Sequence, residues 1–230
     1  MDDLEHLNAA PIRELLGVLG GAQAVLMAGA GVSADLGYPD WWSLVEKMQA
    51  ELAPEVVFDR ATTDVKIAAE RIKVRCAEKS TDLQPYYRYL RSQFEPKARN
   101  SGPFQSQLVR LGFTGIVTTN YDMVMEHSVC ASHEFSGCHS IDLCDDTKKY
   151  LVLRFFHELG RQPCSCVLHL HGYYERPECL ILTESDYRYY YDGVPRGTPI
   201  SGTRSSPPQD TLHRRTIWAL LATRPVVFVG

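Results

Sequence analysis

A chain of 230 residues that is 44% hydrophobic is long enough to bury one large core, or a main core with a smaller lobe. With 23% charged residues and a formal net charge of −4 it carries no basic excess, so nucleic acid is not an expected partner. No run reaches about 18 apolar residues, and the N-terminus, Met1-Asp2-Asp3-Leu4-Glu5-His6, is acidic where a secretion signal is basic; the chain reads as cytoplasmic, without membrane contact.

In chain order, apolar residues at helical spacing predict a helix over 11–19, closed by Gly20-Gly21, and the short apolar run 24–28 predicts a strand. Residues 41–52, 62–77 and 83–94 read as helices, a helical insertion over about 41–100 between two strands. Helix resumes over 103–111, and Ile116 and Val117 with the threonines after them suit a buried strand at 115–117. A helix is expected over 121–129. Residues 130–163 read as a variable excursion with a helix only near 150–159. A strand is expected at 166–172, a strand or turn running into a helix at 180–191, a Gly/Pro/Ser-rich loop at 192–210, a helix at 211–222 and a strand at 225–230. Apolar strands separated by helices predict an α/β protein, a Rossmann-like parallel sheet covered by helices on both faces, in a single domain over 1–230. The seven cysteines (Cys76, Cys130, Cys138, Cys144, Cys164, Cys166 and Cys179) are odd in number and irregular in spacing, the pattern of free thiols.

Gly29-Ala30-Gly31-Val32-Ser33-Ala34 fits G-x-G-x-x-G/A directly after a strand, where missing side chains let the backbone approach a pyrophosphate. A tight, closely packed strand-to-helix turn accounts for the same residues. Two features depart from a dehydrogenase fingerprint. No acidic residue closes a second strand about 20 residues later, and Gly37 and Pro39 cut the following helix after roughly one turn. The chain is expected to leave the sheet edge as a loop, with Trp41 and Trp42 as apolar mass that folds over a ligand and excludes water. Alternatively, both tryptophans belong to the apolar face of a helix.

Two further strand ends are polar. Thr118-Thr119-Asn120-Tyr121-Asp122 follows one apolar strand, and His169-Leu170-His171-Gly172 ends the next. Ligands of open parallel sheets lie beyond the carboxyl ends of the strands, so the glycine turn, Asn120, Asp122 and His171 are expected to converge on one crevice. Other readings stay open. Asn120 and Asp122 suit the N-terminus of a helix starting at Tyr121. One of His169 and His171 suits a structural role. Tyr187, Tyr189, Tyr190 and Tyr191 with Arg188 suit either base stacking or a helix packing its aromatic face on the sheet.

Gly29-Ala30-Gly31-x-Ser33 with Gly37-x-Pro39-x-Trp41, then Thr119-Asn120-x-Asp122, then Leu170-His171-Gly172, then Val-Phe-Val-Gly at 227–230, occur in the order found in the sirtuin family, which this chain resembles from about residue 20 to 230. The resemblance implies NAD as substrate. Gly29, Ala30 and Gly31 would line its phosphates, and Ser33, Pro39, Trp41, Thr119 and Gly230 would belong to the same binding site. It gives Asn120 the nicotinamide ribose and the ordering of a nucleophile, Asp122 the nicotinamide carboxamide, and His171 the part of base toward a ribose hydroxyl. The chemistry suits those residue types, because an oxocarbenium-like state needs positioning more than covalent help and imidazole takes a proton near neutral pH.

Deacetylating sirtuins carry two C-x-x-C pairs after the H-G motif; here Cys164-Ser165-Cys166 precedes it and only Cys179 follows. A metal site of Cys164, Cys166, His169 and His171 is disfavoured, since strand alternation puts the cysteines and histidines on opposite faces, and zinc is not expected. Trp42 stands where the deacetylases have an arginine. The chain therefore resembles the zinc-free branch found in bacterial anti-phage defence, which implies hydrolysis of NAD to ADP-ribose and nicotinamide. On that resemblance it is expected to be the N-terminal part of a longer protein, with a sensing or oligomerising region, a partner protein or further copies of itself. An NAD-dependent deacylase or ADP-ribosyltransferase is the alternative enzyme, and a non-catalytic nucleotide-binding or assembly module the alternative of another class.

Overall fold

The computed structural model describes Arg13, Glu14, Gly17 and residues 24–80, 82–133, 137–145, 147, 149–160, 165–198 and 210–230. Most of the helix expected over 11–19, and Cys164, lie outside the described residues.

Five strands form one fully parallel sheet: β1 (Val25–Ala28), β2 (Gly115–Thr118), β3 (His139–Asp142), β4 (Cys166–His169) and β5 (Val226–Val229), in the spatial order β3-β4-β2-β1-β5. Alternation along the strands splits the apolar residues into two cores. Leu26, Ile116 and Val167 point to one face, under Leu108, Val109, Met125 and Val129 of α5 (Pro103–Arg110) and α6 (Val124–His133). Val25, Val117 and Leu168 point to the other, under Val152 and Phe155 of α7 (Tyr150–Glu158) and Leu220 of α9 (Leu212–Thr223). Burial on both faces explains why the inner strands β1, β2 and β4 read as apolar runs.

After β1 the single turn α1 (Gly31–Ala34) ends, and Gly37, at φ 84, reverses the chain in a conformation that favours glycine. Asp40 then caps α2 (Trp41–Leu52), its carboxylate accepting from the Ser43 amide at 2.6 Å. The insertion continues through α3 (Val65–Lys79) and α4 (Gln84–Phe94) and has a core of its own, built on Leu44, Met48, Ile72 and Leu90. That core is continuous with Tyr121, Val124, Tyr174 and Leu180, so the insertion is seated on the segments that follow β2 and β4. Helix α8 (Glu184–Asp192) starts at a reciprocal capping box between Thr183 and Asp186 and stops at left-handed Gly193.

Two expectations need correction. Residues 130–163 contain β3, an edge strand whose first two residues are not buried and whose sole aliphatic residue is Ile141, so it lacks the apolar run of the inner strands. The helix expected from Tyr121 begins at Val124, because Asp122 Oδ1 accepts the Val124 amide at 3.0 Å and sets the cap there. Among the described residues no helix is long and apolar enough to cross a membrane.

Candidate functional site

Ala28, Thr118 and His169 are register partners across β1, β2 and β4, so the segments after these strands emerge side by side at one edge of the sheet. They line a cleft with about 120 Å³ of open space. Ala30 and Ser33 come from the glycine turn, Thr119, Asn120 and Asp122 from the end of β2, and His171 from beyond β4. The insertion supplies the opposite wall through Tyr38, Pro39, Asp40, Trp41, Leu44 and Phe94, and α8 adds Tyr187.

A second hollow of about 320 Å³ lies on the β1–β5 side and shares Thr119 with the first. Gly29 and Gly230 line this hollow, and Gly31 lines neither. A Cβ on Gly31 would sit 2.9 Å from the Gly230 Cα, and the Gly29 amide donates to the Val229 carbonyl at 2.8 Å. Gly31 and Gly230 are thus required by the close passage of β5 along the turn, whereas a Cβ on Gly29 would meet only ordinary contacts at 3.7 Å.

One chain of buried hydrogen bonds joins the turn to the end of β2. Asn120 Nδ2 donates to the Gly29 carbonyl at 2.9 Å and to Ser33 Oγ at 3.2 Å, and Ser33 Oγ donates to Asp122 Oδ1 at 3.1 Å. Ser33 is 1% exposed, so it acts here as a linker between the amide and the carboxylate. These bonds consume the Asn120 side-chain N–H groups and Asp122 Oδ1; Asn120 Oδ1 and Asp122 Oδ2 make no hydrogen bond among the described residues, and both residues line the cleft. Burial raises the Asp122 carboxyl above its ordinary range, against the Val124 amide and Ser33 hydroxyl that lower it.

The two histidines divide the roles left open by the sequence. His169 is fully buried, with Nδ1 3.0 Å from the Asn120 carbonyl and Nε2 2.7 Å from Glu126 Oε1 on α6, so it braces the backbone of Asn120 from beneath. His171 reaches the cleft. Desolvation first, then the nearby His213, lowers its pKa to about 3 and keeps the ring neutral at physiological pH. Tyr191 Oη lies 3.0 Å from its Nε2.

Trp41 and Trp42 also part. Trp41 lines the cleft 6.0 Å from Tyr187, whereas Trp42 faces Phe58 and the Arg60 guanidinium inside the insertion. Of the tyrosines, Tyr187 and Tyr191 stack on each other beside His171, and Tyr189 and Tyr190 carry Arg196 over their rings. Tyr187 and Tyr191, four apart on a helix just after the H-G motif, were findable by spacing; Phe94 and Leu44 carry no such signal and read as core. Among the described residues no group of three or more His, Cys, Asp or Glu is placed to hold a metal ion. Cys166 belongs to the core facing α7, while His169 meets Glu126 of α6.

Fold and site together define an α/β protein that gathers an amide, a carboxylate and an imidazole at adjoining strand ends around one cleft. A family model described as the SIR2-like domain matches residues 114–230, just over half of the chain and the part that holds Asn120, Asp122 and His171. The chain belongs to this sirtuin-like family, with which NAD-related activity goes. No curated protein matches it.

Proposed function

We propose that this chain hydrolyses NAD, breaking the bond between nicotinamide and ribose and transferring the ribose carbon to water, with ADP-ribose, nicotinamide and a proton as products. The observation that carries this reading is that Asn120, Asp122 and His171 line one cleft, each engaged on one side only among the described residues. Asp122 Oδ2 holds the carboxamide of nicotinamide. Asn120 Oδ1 orders the attacking water, and His171 addresses a ribose hydroxyl through Nδ1. Fixed dipoles in a half-enclosed cleft stabilise developing positive charge on the ribose better than mobile water does. Water as acceptor is favoured by the apolar rings of Trp41 and Tyr187, which line the cleft 6.0 Å apart with Tyr187 against His171. Ala30, Ser33, Pro39 and Thr119 contribute to NAD binding in the cleft, and Gly29, Gly31 and Gly230 in the turn and hollow beside it. The domain is a single unit over 1–230 with its insertion at about 41–100, and the resemblance to the zinc-free branch supports a cytoplasmic role in anti-phage defence.

Chromatography of NAD incubated with the protein tests this. Nicotinamide and ADP-ribose should appear together, and Asn120→Ala or His171→Ala should reduce their release by about 100-fold or more. Release that depends strictly on an acylated peptide or an acceptor protein would instead make the chain a transferase. Thermal stabilisation by NAD without turnover would make it a binding module.

A further inference from the structure

His171 is clasped by rings from α8. Its Nε2 lies 3.0 Å from Tyr191 Oη, with the two rings nearly perpendicular at 89°. Tyr187 stacks on Tyr191 at 5.5 Å and stands 5.4 Å from the imidazole. On the far side of Tyr191 the His213 ring lies at 5.2 Å, its Nε2 3.1 Å from the Leu170 carbonyl. Nδ1 of His171 makes no hydrogen bond among the described residues, and the residue lines the cleft.

A neutral imidazole has one N–H and one lone pair, so the partner of one nitrogen dictates what the other offers. Burial pushes the Tyr191 phenol far above neutrality, and its hydrogen stays on the oxygen. Nε2 is the acceptor within its reach among the described residues. The reverse arrangement, with Nε2–H donating to the phenol, leaves the hydroxyl hydrogen without an acceptor among the described residues.

We propose that Tyr191 is a positioning residue that fixes the tautomer of His171: with no ligand bound its hydroxyl donates to Nε2, and the ring turns an N–H at Nδ1, not a lone pair, toward the cleft. In this state His171 donates to a ribose hydroxyl and cannot take its proton. The ring becomes a base when the Tyr191 O–H turns away and exchange with water moves the ring hydrogen from Nδ1 to Nε2, a change with no net gain or loss of protons. Tyr191 therefore restrains turnover in the resting protein, and α8 is the handle that releases it. That helix is tied to the insertion by Lys73 on Asp186 and by Glu70, which accepts the Ser185 amide, so movement of α3 reaches the Tyr191 contact through it. The effect on turnover rests on the function proposed above; the tautomer does not.

Nitrogen-15 spectra of the histidine side chains in the ligand-free protein test it, with the His171 signals assigned by their loss in His171→Gln. Wild type should show His171 protonated at Nδ1, and Tyr191→Phe, which keeps the ring stacking, should invert the ratio toward Nε2–H. Tyr187→Phe should leave the ratio unchanged. NAD hydrolysis by Tyr191→Phe should rise by up to about tenfold, the factor one neutral hydrogen bond represents. An Nε2–H ring in wild type overturns the proposal even if the variant fails to fold, as does a ratio that Tyr191→Phe leaves untouched. The expected tautomers in a protein that never hydrolyses NAD would sustain this inference and sink the function instead.

Discussion

His169 faces an acceptor at each ring nitrogen, the Asn120 carbonyl and the Glu126 carboxylate, and an imidazole satisfies two acceptors only when both nitrogens carry hydrogen. It is a buried cation beside a buried anion, with Asp142 in register on the neighbouring strand and Ser140 donating to the same Glu126 oxygen. Burial alone would lower the pKa of His169, but the charge and hydrogen bond of Glu126 outweigh it and hold it raised; burial alone would raise Glu126, but His169 holds it lowered. The raised His169 adds stability that is complete below its unfolded pKa of about 6.5 and is lost as pH rises through the folded value. The lowered Glu126 adds stability that is complete above about 4.3 and is lost as pH falls through its folded value. Urea unfolding should therefore show this pair's contribution at its fullest between about pH 4.3 and 6.5, declining on the alkaline side. Glu126→Gln should cost about 3–5 kcal/mol at pH 6 and abolish that alkaline decline; a variant with the same pH profile as wild type would refute the ion pair.

At the level of elements, α8 is the piece whose position the site depends on most. Its first turn is locked by Thr183 Oγ1, which accepts the Asp186 amide, and by Asp186 Oδ2, which accepts the Thr183 amide at 3.0 Å, while Asp186 Oδ1 meets Lys73 of α3 at 3.2 Å. Thr183→Ala should cost about 0.5–2 kcal/mol in urea unfolding and speed amide exchange across 184–192. Unchanged exchange there would mean that ring packing alone holds the helix. The same elements show where sequence reasoning reaches and where it stops. Residues 41–52 were legible to the residue because their apolar positions recur three or four apart; the Asp40 cap that fixes the start is a finding of the structure. The start of α6 was not, since Asn120 reads as the cap of a helix from Tyr121, whereas its side-chain N–H groups hold it on Gly29 and Ser33 and Asp122 accepts the Val124 amide.

Over the whole molecule, the rule that parallel sheets bind ligands beyond their strand ends was enough to bring Asn120, Asp122 and His171 to one cleft from separate stretches of sequence. The far wall was invisible, because Phe94 and Leu44 reach the cleft through the insertion's own packing and no local pattern marks them. β3 was also missed, since an edge strand pairs along one side only and needs less apolar surface.

The near-contact of Gly31 with Gly230 changes how a lesion in the glycine turn should be read. A methyl group at position 31 would meet main chain at 2.9 Å, with no flexible side chain there to yield, and would wedge β5 away from β1. Gly31→Ala should thus cost about 1–3 kcal/mol in folding free energy, measurable by urea titration without any nucleotide. A mutant of this kind that loses activity would mimic a failure of phosphate recognition while its primary injury is a sprung seam in the sheet.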